Sequence, residues 1–113
     1  MASENDPIEA TTSSFDRTRF IVTRMRWLHI LDRHAELRGM MKVVLSAASD
    51  PDEVFMDRRG TLHFVKSLQG TVSDFLVVIA RKSDSKTYLV TAYYMNSKGK
   101  ERRYRKFKKL ALS

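Results

Sequence analysis

Two histidines lie five residues apart in the stretch WLHILDRHAEL, which begins at Trp27. An imidazole changes charge near neutral pH, so at the edge of a pocket it can act as a general acid or base. Five residues of helix correspond to a rotation of about 500°, so His29 and His34 point in different directions. His34 shares a helix face with Trp27 and Ile30 and is the better catalytic candidate, although a structural histidine bordering the core fits the spacing equally well. His29 is expected to be structural.

Two hydroxyl-bearing residues alternate in the stretch VTAYY, from Val90 to Tyr94. In a strand, Thr91 and Tyr93 project from the same face about 7 Å apart. A threonine hydroxyl and a phenol side by side can hold a phosphate or donate to a developing oxyanion. The alternative is that both residues are present only because strands favour them.

A strongly basic segment, KGKERRYRKFKKL, begins at Lys98. Residues 98–113 contain eight bases and one acid, in a chain whose net charge is +8. Bases interleaved with aromatic rings suit a surface that follows a nucleic-acid backbone and stacks bases. A solvated edge strand and tail would give the same composition. The predicted nucleic-acid-binding residues are Lys98, Lys100, Arg102, Arg103, Tyr104, Arg105, Lys106 and Lys108.

Composition excludes several classes of protein. The 113 residues suit one domain, and the absence of cysteine excludes a disulfide scaffold, a thiolate metal site and a cysteine nucleophile. The three histidines are scattered, so we expect neither a bound metal nor a cofactor. No apolar run approaches the length of a membrane span and the acidic N-terminus lacks a signal sequence, so a cytoplasmic protein without membrane contact is expected.

The local patterns predict helices first and strands afterwards. Residues 1–16 read as a flexible leader before a single domain over 17–113. After a short strand at 20–22, Thr23 is placed to cap a helix that ends near Leu37. Leu28, Leu31 and Ala35 are spaced to form its buried stripe. A second helix is predicted from Met40 to Ser49, before the break at Asp50-Pro51.

Beyond Pro51 the hydrophobic period changes to two, which indicates strands. They are predicted at 54–56, 61–68, 75–80, 86–95 and 101–108, with the last as a charged edge strand and residues 69–73 as a loop. Leu62, Phe64 and Leu68 should lie on one side of their strand, and His63 and Val65 on the other. Helices followed by an antiparallel meander define an α+β fold.

Several stretches together resemble a known superfamily. WLHILDRHAELRG is followed by DPDEV, DRRG with LHFVK, FLVVIARK and YLVTAYYMNS. In order and spacing, this set is similar to the phage-associated nuclease domains of the barnase–EndoU–colicin–RelE (BECR) superfamily, over about residues 19–97. The resemblance implies two N-terminal helices packed on a four- to five-stranded antiparallel sheet.

The resemblance also implies metal-independent RNA cleavage, in which the 2′-hydroxyl attacks the adjacent phosphate and leaves a 2′,3′-cyclic phosphate. By position, His34 would be the acid or base, and Thr91 and Tyr93 would contact the scissile phosphate. His29 would support the site, and a base would stabilise charge; that base is one of Arg59, Lys66 and Arg81. Ala35 stands where the family usually has proline.

The leading hypothesis is a small endoribonuclease, a toxin or the effector of a mobile element, whose partners are RNA and an inhibitor, immunity or antitoxin protein. The first alternative is a non-catalytic module that binds RNA or DNA through the basic segment. The second is a phage accessory domain that binds another protein.

Overall fold

The computed structural model describes residues 6–69 and 73–112. The order of elements is β1 (Ile8–Ser13), β2 (Arg19–Thr23), α1 (Arg24–Arg33), a 3-10 helix (Ala35–Leu37), α2 (Met41–Ser49), β3 (Glu53–Met56), β4 (Leu62–Ser67), β5 (Phe75–Ser83), β6 (Lys86–Met95), α3 (Ser97–Tyr104) and β7 (Lys108–Lys109). The fold is α+β. Within the described ranges, no helix is long and apolar enough to cross a membrane.

The strands of the described chain form one sheet of seven, in the order β1-β2-β6-β5-β4-β3-β7. The expected sheet was smaller and wholly antiparallel, whereas this one is mixed because β2 runs parallel to β6. The parallel pair arises because α1, α2 and three strands separate β2 from β6 in the chain, so the connection is a long crossover and not a hairpin.

Strand β1 corrects the predicted flexible leader. Residues 8–13 pair antiparallel with β2, and the Thr11 hydroxyl donates to the carbonyl of Phe20 at 2.8 Å. The sequence IEATTS has few large apolar groups, but an edge strand is held mainly by its backbone pairing, and threonine suits that geometry. Residues 1–5 of the predicted leader and residues 70–72 of the predicted loop lie outside the described ranges.

The main core lies between the helices and one face of the sheet. Phe20, Ile30, Leu37, Val44 and Phe64 are all buried there. The sides of β4 follow the predicted alternation, since Leu62, Phe64 and Leu68 pack in this core while Val65 packs on the opposite face.

A smaller core covers that opposite face of the sheet. It contains Phe55, Val65, Val77 and Ile79, which are covered by Tyr104. The first half of the predicted strand over 101–108 is the end of a helix, and only Lys108–Lys109 pair as a strand. Helix α3 begins because the Asn96 side chain accepts a hydrogen bond from the Gly99 amide at 2.7 Å, and lysine and arginine then favour helix.

Helix α1 begins at the predicted cap, where the Thr23 side chain accepts from the Arg26 amide. It ends four residues earlier than predicted. His34 is its C-terminal cap, with φ −133° and ψ 68°, and its amide donates to the carbonyl of Ile30 at 2.7 Å. The chain turns at His34 into the 3-10 helix, so this side chain projects from a break and not from a continuous helix.

Candidate active site and nucleic-acid surface

His34 lies at the break after α1, and its side chain is 32% exposed. Its Nδ1 is 3.6 Å from the Oε2 of Glu36, and its ring centre is 6.2 Å from that of Tyr93. A ring in this position can exchange protons with a bound molecule while one edge faces a carboxylate and the other side faces an aromatic ring. His34 therefore lies close to the strand that carries Tyr93.

Tyr93 occupies the centre of this cluster. The guanidinium of Arg103 lies 5.8 Å from the centre of its ring, so Arg103 and His34 approach the same aromatic residue. The phenol oxygen is enclosed and makes no well-formed hydrogen bond to any described residue. Tyr93 therefore presents its ring to the cluster, and its hydroxyl does not reach the surface where a phosphate would be contacted.

Thr91 shares the sheet face of Tyr93. In the pairing of β5 with β6, Ile79 lies opposite Thr91 and Val77 lies opposite Tyr93, as the predicted alternation requires. Thr91 is half-buried, and its hydroxyl has no hydrogen-bond partner in the part of the chain that is described. Its hydroxyl is available to a ligand that approaches along this face.

The other predicted supporting residues do not join the cluster. His29 is exposed on α1. The Lys66 ammonium donates to the Asp50 carbonyl at 2.6 Å and lies 3.3 Å from its carboxylate, so Lys66 fixes the end of α2. Arg59 lies in the turn between β3 and β4, and Arg81 is exposed near the end of β5. The basic residue beside Tyr93 is instead Arg103, which was one of the predicted nucleic-acid-binding residues.

Some side chains of the basic segment contact other residues of the protein, and others are exposed to solvent. Lys100 forms an ion pair with Glu53 and lies 5.1 Å from the Phe75 ring centre. Tyr104 is 5% exposed and stacks on Phe55 with ring centres 4.6 Å apart. The prediction that Tyr104 offers a stacking surface for bases was wrong, because this ring closes the smaller core. Of the predicted binding residues, the exposed bases are Lys98, Arg102, Arg103, Arg105, Lys106 and Lys108.

Beneath α3 lies a buried polar network that the sequence did not reveal. His63 Nδ1 is 3.0 Å from the Tyr104 hydroxyl, and its Nε2 is 3.4 Å from Asp57 Oδ2. The other Asp57 oxygen accepts from the amides of Arg59 and Thr61. A neutral imidazole with its proton on Nε2 donates to Asp57 and accepts from Tyr104, so that tautomer satisfies both contacts. The spacing D-x5-H was the only signal in the sequence.

Burial and neighbouring charges shift the pKa values of this network. Burial lowers the pKa of His63 and Arg103 lowers it further, against the opposing effect of Asp57. Burial alone would raise the pKa of Asp57, but the amides of its turn and His63 outweigh burial and lower it. Burial and the neighbouring Tyr93 raise the pKa of Tyr104. At pH 7 the network therefore consists of an ionised Asp57, a neutral His63 and a neutral Tyr104.

Acid should destabilise the protein through His63. Its pKa is below 6.5 in the folded state, so the unfolded chain binds the proton more readily and stability rises with pH across that window. The free energy of unfolding should fall as the pH drops below 6.5, and Asp57 adds a loss of the same sign below 3.8. Urea unfolding followed by the fluorescence of buried Trp27 measures this at pH 7.5 and pH 5.

A glutamine variant isolates the titration from the hydrogen bonds. His63→Gln keeps a donor and an acceptor but cannot be protonated, so its loss of stability between pH 7.5 and pH 5 should be smaller than that of the wild type. His29→Gln, at an exposed position, serves as the matched control and should retain the wild-type slope. An equal slope in the His63 variant would show that this histidine does not couple to folding.

The chain matches no protein-family model, no curated protein and no solved structure. The resemblance to the nuclease superfamily therefore stays a prediction.

Proposed function

We propose that this protein is a small metal-independent endoribonuclease with His34 as its general acid or base. The observation that supports the proposal is the placement of a partly exposed imidazole and the guanidinium of Arg103 around the ring of Tyr93. A proton-transfer group and a cation near the same ring are what cleavage of a phosphodiester requires from side chains alone.

The chemistry would use the ribose itself as nucleophile. The 2′-oxygen forms a bond to phosphorus as its proton passes to a base, the bond from phosphorus to the 5′-oxygen breaks, and that oxygen receives a proton. The products are a 2′,3′-cyclic phosphate and a 5′-hydroxyl. His34 carries one of these protons, Glu36 orients the imidazole, and Arg103 stabilises the added negative charge on the phosphate. Thr91 offers a hydroxyl to a non-bridging oxygen.

The test is incubation of the full chain with total RNA in the presence of a chelator, followed by identification of the new ends. We expect 2′,3′-cyclic phosphates and 5′-hydroxyls, with a bell-shaped dependence of rate on pH. Activity that disappears with the chelator, or products that carry 5′-phosphates, would contradict this mechanism.

Non-catalytic RNA binding is the second candidate, supported by the six exposed bases from Lys98 to Lys108. It predicts salt-dependent affinity with no cleavage product. Neutralising Arg102, Arg103, Arg105 and Lys106 together should then abolish binding. In the nuclease, neutralising Arg102, Arg105 and Lys106 and keeping Arg103 should weaken binding while the same products still form.

Partners and location follow from the proposed activity. A ribonuclease of this kind acts in the cytoplasm, where RNA is its substrate. Its host would need an inhibitor or antitoxin protein, which is expected to be acidic to match the basic surface of α3.

A further inference from the structure

A separate groove borders the segment that follows α3. This groove of about 580 Å³ is lined by Met56, Asp57, Arg58, Arg59, Lys106, Phe107 and Lys108. None of these residues belongs to the cluster around His34. One wall is the turn between β3 and β4, and the other is the segment that follows α3.

The groove is strongly cationic. Arg58, Arg59, Lys106 and Lys108 are exposed, and none of the four forms an ion pair with another described residue. The single acid, Asp57, is already committed to two backbone amides and to His63. The negative charge of Asp57 is therefore compensated within the turn. The charge that a ligand would meet in the groove is positive. Such a groove selects an anion, and arginine is suited to phosphate geometry.

An aromatic ring forms part of the same lining. Phe107 packs edge-on against His63, with ring centres 5.0 Å apart, and against Tyr104 at 4.9 Å. These contacts fix the orientation of Phe107 while the residue remains only half-buried. A fixed ring beside several cations matches a ligand with a flat base and a phosphate.

The buried network holds the two walls in place. Asp57 ties the turn to His63 on β4, and His63 in turn contacts Tyr104 and Phe107 on the opposite wall. Buried polar networks of this kind fix one arrangement of the groups around them. The network thus sets the width of the groove.

From these contacts we infer that the groove is a binding site for a nucleoside phosphate, in which arginine and lysine hold the phosphate and Phe107 contacts the base. A free nucleotide and a nucleotide within a single strand carry this same chemistry. Binding in this groove does not depend on cleavage at His34, since the two sites share no residue and a mononucleotide contains no internucleotide bond to cut.

The experiment is an NMR titration of the full chain with AMP, ribose 5-phosphate, inorganic phosphate and a 2′-O-methyl RNA hexanucleotide. AMP should shift the amide signals of Gly60, Phe107 and Lys108 and bind about tenfold more tightly than ribose 5-phosphate, which lacks the base. Tighter binding of the hexanucleotide than of AMP identifies a strand as the occupant, and the reverse order identifies a free nucleotide; either order supports the site.

Charge variants provide the second arm. The double variant Arg59→Ala/Lys108→Ala should weaken AMP binding at least about tenfold. The number of ions released when the hexanucleotide binds, measured from the salt dependence of its affinity, should fall by about one. Lys42→Ala/Lys86→Ala removes the same charge from α2 and the start of β6 and should have a much smaller effect.

Three results would overturn the inference. Inorganic phosphate could bind as tightly as AMP, the two double variants could behave alike, or AMP could leave the amide signals of Gly60, Phe107 and Lys108 unshifted. None of these results depends on whether RNA is cleaved, and a protein that cuts no RNA could still bind AMP in this groove.

Discussion

His34→Ala is expected to lower the rate of RNA cleavage by about 10²- to 10⁴-fold, the usual contribution of one general acid or base. Affinity for RNA should stay nearly unchanged, because the exposed bases that attract the phosphate backbone lie on α3 and after it. The measurement is a single-turnover cleavage assay with a fluorescent oligonucleotide, paired with binding of its 2′-O-methyl analogue.

His29→Ala is the matched control, since it removes an imidazole from the same helix at an exposed position. It should cleave at close to the wild-type rate, and both variants should unfold at similar urea concentrations. Equal loss of activity in the two variants would remove His34 from its proposed role. So would wild-type activity in His34→Ala.

Tyr104→Ala should cause the largest loss of stability. The ring is buried, stacks on Phe55 and caps the smaller core, so its removal should cost about 3 to 5 kcal/mol. That is a large part of the roughly 5 to 15 kcal/mol that stabilises a typical domain. Because Tyr104 is the residue that buries α3 against the sheet, part of the helical circular dichroism should be lost as well.

Tyr104→Phe separates packing from hydrogen bonding. It keeps the ring but leaves His63 Nδ1 without its donor, which should cost about 1 to 3 kcal/mol. Urea unfolding at pH 7.5 measures both variants. If the alanine variant proved no less stable than the phenylalanine variant, stacking on Phe55 would not be what holds α3 to the sheet.

The sequence predicted best those elements whose structure depends on local contacts. The cap at Thr23 and the bounds of β6 at Lys86 and Met95 match the structure. The buried side of α1 was predicted less well. Trp27 and Ile30 are buried, whereas Leu28 is 53% exposed.

Elements that depend on distant partners were missed. Residues 8–13 form a strand by pairing with β2, and residues 101–104 lie in α3, where Tyr104 stacks on Phe55 of β3. No local sequence pattern predicts the parallel pairing of β2 with β6. Secondary-structure preference is weak beside such contacts.

The candidate site follows the same rule. The resemblance assigned His34 and Tyr93 to one site, and their rings lie 6.2 Å apart, whereas Arg103 and Glu36 are brought there by the positions of α3 and of the 3-10 helix. Asp57, His63 and Tyr104 come from a turn, β4 and α3, and the D-x5-H spacing links only the first two in the sequence.

The parallel pairing of β2 with β6 has a consequence for how the molecule matures. Contacts between segments so far apart in the chain form late in folding. His34 follows β2 and Tyr93 lies on β6, so an interrupted chain that lacks β6 also lacks the cluster. If the protein cuts RNA, a nascent chain would be harmless to the messenger from which it is being translated until β6 has emerged.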